Sequence, residues 1–176
     1  GGSGVMCRGA RSRGETSSAL ALGKAGRTSL TDERCYGRGP EESLQVWGPG
    51  GRLRLRPGSP QLWDDVAEPM RQGGRWGLKA IVEAADLAVA AATGSIAPQA
   101  LFFPQVVGTG KHVITPLKRS EALAETLAST GLALLPEQAA RQFQAVATLV
   151  RTADCYLLQL GRDMASLADT IGEVLR

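Results

Sequence analysis

Residues 143–174 read FQAVATLVRTADCYLLQLGRDMASLADTIGEV, and their apolar members decide the fold expected of the chain. Phe143, Val146, Val150, Ala153, Leu157, Leu160, Met164, Leu167, Ile171 and Val174 follow one another in alternating steps of three and four. That spacing places them on one seam of a helix and persists for more than four heptads. Pro136 opens the segment, so the pattern predicts helix from about 137 to 175, with Gly161 as its joint. The flanks are poor in the Glu and Lys that set coiled-coil partners, which favours internal bundle packing over dimerisation.

Working back towards the N-terminus, Thr115-Pro116 predicts a helix start carried by Leu117, Ala124, Leu127 and Ala128 to Gly131. The stretch 95–115 holds Pro98, Phe102, Phe103, Pro104, Val106 and Val107 without helical period. It reads as a packed loop with one short strand pair, Gln105–Val107 against His112–Ile114. Leu78, Ile81, Val82, Ala85, Val89 and Ala92 trace a stripe for a helix from Arg75 to Gly94. Ser59-Pro60 predicts a capped helix start, with Asp64 and Asp65 at the positive end of its dipole and Pro69, Gly73 and Gly74 interrupting it. The fold expected is mainly α, an antiparallel three- to four-helix up-and-down bundle over 59–176. Residues 1–58 form a long irregular Gly/Arg-rich arm, an organelle address or an anchor.

With 43% apolar and 5% aromatic residues in 176, an Ala-rich core suits close-packed helices. The net charge of +3 is uneven: residues 1–60 carry +5 and the rest −2. This basic arm has Tyr36 and Trp47 as its only stacking platforms and no nucleic-acid motif, so a nucleic-acid partner is not the first expectation, and a basic-armed nucleic-acid-binding module stays an alternative reading. No run approaches the roughly 20 apolar residues of a membrane span, and a peripheral position is expected.

No ordinary active site emerges. His112 is the only histidine and has no carboxylate nearby in sequence. Gly108-Thr109-Gly110 lacks the spacing of a phosphate or dinucleotide loop and reads as a positive-φ turn. The adjacent pairs Asp64-Asp65 and Glu41-Glu42 diverge on a helix and cannot share a proton or metal. Cys7, Cys35 and Cys155 lack metal spacing, and free thiols are favoured over a Cys7–Cys35 bridge. No catalytic residue, metal or cofactor is therefore expected. The function expected is docking on a larger protein assembly, through Arg52, Arg54 and Arg56 with Trp47 and Trp63 as aromatic anchors. For Trp63, a core role is equally open.

Trp63-Asp64-Asp65-Val66 running into Pro69-Met70 and Arg75, then Leu134-Leu135-Pro136 before Ala139-Ala140-Arg141 and a two-part helical tail, resembles the PsbQ-like extrinsic proteins of photosystem II, also called oxygen-evolving enhancer 3. The resemblance covers residues 60–176 and implies a four-helix bundle docked on the lumenal face of a photosystem in the thylakoid, with no catalytic residues. Gly73-Gly74 and the aromatic loop from Pro98 to Pro116 depart from that family. A second resemblance, in Leu78–Asp86 (LKAIVEAAD), the 107–110 turn and the 120–131 helix, is to bacterial microcompartment shell proteins and implies a self-assembling structural role.

Overall fold

The computed structural model of the chain describes residues 2–8, 13–32, 34–39, 44–108, 110–131 and 135–175. Glu41, Glu42, Thr109 and Leu134 lie outside them. Among these residues the architecture is α/β, with a mixed six-stranded sheet and an antiparallel three-stranded one, and the expected helical bundle is not formed. The four-helix bundle implied by the PsbQ-like resemblance falls with it.

The large sheet is built around β7 (Ile96–Val106). β1 (Gly2–Cys7) lies parallel along one edge of it, and β9 (Asp154–Leu160) lies parallel along the other. β8 (Val113–Pro116) closes the far side antiparallel to β9. The short hairpin of β2 (Tyr36–Arg38) and β3 (Gln45–Trp47) joins β7 through the pair Val46 and Ile96. Parallel strands covered on both faces read as apolar runs rather than as alternation. ALFF at 100–103 and CYLLQL at 155–160 are such runs. Ala100 and Phe102 face one layer, where α1 (Glu15–Lys24) and α5 (Leu167–Val174) supply Ala21, Leu167 and Ile171. Leu101 and Phe103 face the other, against Ala122 of α3 (Arg119–Ala128) and Leu149 and Val150 of α4 (Pro136–Thr152). Fully burying a side chain such as Phe102 contributes about 1.5–3 kcal/mol.

The predicted C-terminal helix is therefore three elements. α4 ends at Thr152, Ala153 is already extended, and the seam residues Leu157 and Leu160 belong to a strand. Steps of three and four occur by chance along an apolar strand flanked by two amphipathic helices. Tyr156 and the apolar run at 155–158 are the contrary signal.

The predicted loop over 95–115 is mostly β7, an eleven-residue strand with two prolines. The Phe102 carbonyl accepts from the Arg8 N–H (2.8 Å), so even-numbered residues of β7 turn their polar groups towards β1. Pro98 sits where the β1 register shifts, and Pro104 lies beyond the last pair among the described residues, Cys7 with Phe102. Neither proline removes a needed donor. The predicted pairing of 105–107 with 112–114 does not occur; both strands pair with β9 instead.

The expected helix from Arg75 is also strand. β5 (Gly74–Trp76) and β6 (Lys79–Glu83) form a hairpin through Gly77 (φ 59°), and β4 (Arg52–Leu55) pairs with β6 to complete a three-stranded sheet. Leu53, Leu55, Ala80 and Val82 point inward onto Leu20 of α1. Ser59–Gln61 and Asp64–Val66 are single 3-10 turns before the short α2 (Ala67–Gln72), which Gly73 ends. The predicted helix start at Thr115-Pro116 is the end of β8. The expected irregular arm contributes β1, α1 and β4, all in contact with the core. Leu78–Asp86, helical in the microcompartment resemblance, is a turn, β6 and a 3-10 segment.

Candidate functional site

In an open parallel sheet the ligand crevice lies beyond the carboxyl ends of the strands. Here those ends are Arg8, Val106 and Leu160, and Gly14 sits against them. Gly14 has φ 105°, and a Cβ there would overlap Leu160 Cδ1. Its left-handed conformation calls for glycine, and Leu160 would have to shift to admit any side chain there. α1 opens on the next residue with no side-chain cap.

Residues 9–16 read Gly-Ala-Arg-Ser-Arg-Gly-Glu-Thr. This is the Gly-x4-Gly-x-Thr frame of a phosphate-binding loop, with Glu15 at the lysine position, between a strand and a helix. Sequence reasoning passed over it by looking for the complete signature and by treating the glycines as linker. A strand-forming Val5-Met6-Cys7 immediately before the first glycine was the available signal. Residues 9–12 lie outside the described set.

Around this junction, α3 braces the chain twice. The Arg8 guanidinium donates to the Ser129 carbonyl (3.3 Å) and to Thr130 Oγ1 (3.0 Å). Arg13 Nη1 donates to both carboxylate oxygens of Glu125, at 3.3 and 3.2 Å. The Cys7 thiol is pushed up to about 12, by burial first and the Glu15 carboxylate second. Cys35 and Cys155 are also raised, chiefly by burial, and all three cysteines are free thiols.

His112 is buried rather than on the surface. Its Nδ1 accepts from the Gly161 N–H (3.1 Å), which leaves Nε2 protonated and donating to the Asp163 carbonyl (2.6 Å). Both nitrogens are committed, so the ring ties the loop after β7 to the loop after β9 and has none free for chemistry. Gly108 and Gly110 take φ 71° and 73°, the turn expected of them. Asp64 and Asp65 head a 3-10 turn, and Asp65 pairs with Lys24. Among the described residues no three His, Cys, Asp or Glu gather to hold a metal.

The residues proposed for docking fall in three places. Arg52 and Arg54 lie on β4, with Arg52 Nε donating to Glu83 (2.8 Å) and the Arg54 guanidinium 4.1 Å from the ring centre of Trp76. Arg56 is exposed beyond the strand. Trp47, 41% exposed, stands on β3 against Tyr36 with ring centres 4.8 Å apart. Trp63 is half-buried between two core clusters, which is the core role. The structure thus joins Arg54 to Trp76, a tryptophan the sequence reading did not select. Trp76 is 51% exposed, and Leu78, two residues on in the same hairpin, is 82% exposed.

Among the described residues no helix is long and apolar enough to cross a membrane. Comparisons with protein families, curated proteins and solved structures give no match, and so bear neither on the photosystem resemblance nor on the microcompartment one.

Proposed function

We propose that this chain is a non-catalytic docking module built on a phosphate-loop α/β fold whose loop is disabled at Glu15. The observation that carries the reading is the strand–Gly-x4-Gly–helix junction at the carboxyl ends of parallel strands, with a carboxylate where phosphate chemistry needs an ammonium. A helix N-terminus and loop amides attract an anion. Glu15 occupies the first turn with its own negative charge, and it repels the phosphates that a lysine would hold. With phosphoryl transfer removed, the remaining function falls to surfaces. The Arg52–Arg54–Trp76–Leu78 face offers the exposed Arg and Trp that dominate interface energy.

Calorimetric titration with magnesium ATP and magnesium GTP, alongside phosphate-release assays, tests the reading. The wild type is expected to bind weakly and to release no phosphate, and Glu15→Lys is expected to gain about 10-fold or more in affinity. Turnover by the wild type, or an unchanged affinity in Glu15→Lys, would overturn it.

A further inference from the structure

We infer that the β5–β6 hairpin docks on an anionic lipid bilayer, an inference that rests on the docking reading of the Arg52–Arg54–Trp76–Leu78 face and names its partner. The three-stranded sheet sorts its side chains by face. Leu53, Leu55, Ala80 and Val82 turn onto the core. Their neighbours along the strands, Arg52, Arg54, Lys79, Ile81 and Glu83, turn the other way, and Trp76 joins them because it stands opposite Lys79. The outer face therefore sets cations around one aromatic ring, with the Arg54 guanidinium 4.1 Å from the ring centre.

The apolar part of this face sits at its tip. Trp76 ends β5, Gly77 and Leu78 make the turn, and Lys79 begins β6. Trp76 is 51% exposed and Leu78 82%, and a Cβ at Gly77 would meet nothing within 4 Å. A turn has no concavity to receive a partner's side chain, so two large apolar groups on it need a medium that they can enter. The interfacial layer of a bilayer is such a medium: it accepts leucine on its apolar side and holds tryptophan at headgroup level.

Charge selects the lipid. Residues 52–56 and 74–83 carry Arg52, Arg54, Arg56, Arg75 and Lys79 against Glu83 alone, a net of +4. The whole chain carries +3, so everything outside these two segments comes to −1. The positive charge of the protein is thus gathered beside Leu78, the most exposed large apolar side chain among the described residues. Glu83 lies at the end of β6 away from the turn and is already engaged by Arg52 (2.8 Å). Arginine and lysine stems can lie along the apolar layer with their heads among lipid phosphates, and each cation near an anionic surface contributes roughly a 5-fold gain in partition. A nucleic-acid strand fits less well. It stacks on successive aromatic rings. Trp76 is the one aromatic residue of this sheet, Arg54 already lies over it, and Leu78 would stay in water.

The test is co-sedimentation of the full chain with phosphatidylcholine vesicles containing about 30% phosphatidylserine, and with phosphatidylcholine alone. The expected result is binding to the anionic vesicles that weakens with added salt, and binding to the neutral ones that is weaker by about 10-fold or more. Brominated phosphatidylcholine in the anionic vesicles should quench the wild type but not Trp76→Phe, in which Trp47 and Trp63 remain outside the bilayer. Leu78→Glu, and Arg56→Gln combined with Arg75→Gln, should each lose about 10-fold or more in affinity while circular dichroism matches the wild type. Absence of binding, equal binding to both kinds of vesicle, or binding that survives Leu78→Glu would overturn the inference. Binding without quenching at Trp76 would overturn it in favour of adsorption by charge alone. Tighter binding to polyuridylate, with the same losses in the variants, would overturn it in favour of a nucleic-acid strand. The nucleotide titrations of the wild type and Glu15→Lys separate the two levels: if they come out as expected and vesicles are not bound, the lipid assignment falls alone, whereas turnover of nucleotide fells the docking reading itself.

Discussion

β9 and β1 are both parallel neighbours of β7, yet they stand in opposite situations. β9 is paired along both edges, with β7 on one side and β8 on the other. Among the described residues β1 is paired along one edge, and it also borders a cavity. Their sequences announce this difference in reverse. The centrally placed strand was hidden inside a helical period, and the open-edged one inside a glycine-rich stretch. A strand's place in a sheet depends on what its neighbours supply, and local pattern does not report that.

The largest effect expected of this contrast is in packing. Leu158 is fully buried at the centre of β9, and Leu158→Ala should cost about 2–5 kcal/mol in urea unfolding. A Val5→Ala change on β1 should cost visibly less, since Val5 is only half-buried. Equal losses would mean that β1 is as enclosed as β9. Next in size is Gly161→Ala at the end of β9, where an added Cβ would overlap the Gly110 carbonyl and strain the neighbouring His112 tie. It should cost about 1–3 kcal/mol, and no such loss would show that the two loops move apart freely.

The Cys7 thiol sharpens the comparison at the open edge. The unfolded chain releases this proton near the ordinary value of 9.0 and the folded chain near 12, so the unfolded state binds fewer protons in between. Stability should accordingly fall as pH rises from about 9 to 12. The wild type should show this loss in alkaline unfolding curves and Cys7→Ser should show a smaller one, since Cys35 and Cys155 are raised as well. A thiol that titrates at its ordinary value would mean that water reaches it through the cavity it lines. The smallest effect belongs to Arg13 and Glu125, both partly exposed: a double-mutant cycle should give about 0.2–1 kcal/mol, and less at high salt.

What could be read from sequence followed from local rules. Pro136 starts α4, Gly108 and Gly110 make the expected turn, and Gly73 ends a short helix as its neighbours suggest. What could not be read depended on pairing. Pro98 and Pro104 argued against a strand, but they are tolerated because one meets a register shift and the other lies beyond the last described pair. Ile81 and Val82 fit a helical stripe, yet the two-residue turn at Gly77-Leu78 commits them to a hairpin. The junction at Gly14 was present in the text as a glycine spacing. It acquires meaning only once β1 and α1 are known to flank it.

Pro104 also bears on a different part of the chain. It has no N–H to offer towards β1, so β7 gives β1 no backbone donor beyond Phe102. Among the described residues the last rung, from the Arg8 N–H to the Phe102 carbonyl, falls one residue before the first glycine of the Gly-x4-Gly frame. A proline on one strand thereby withholds a backbone donor from another, nearly a hundred residues away in the sequence.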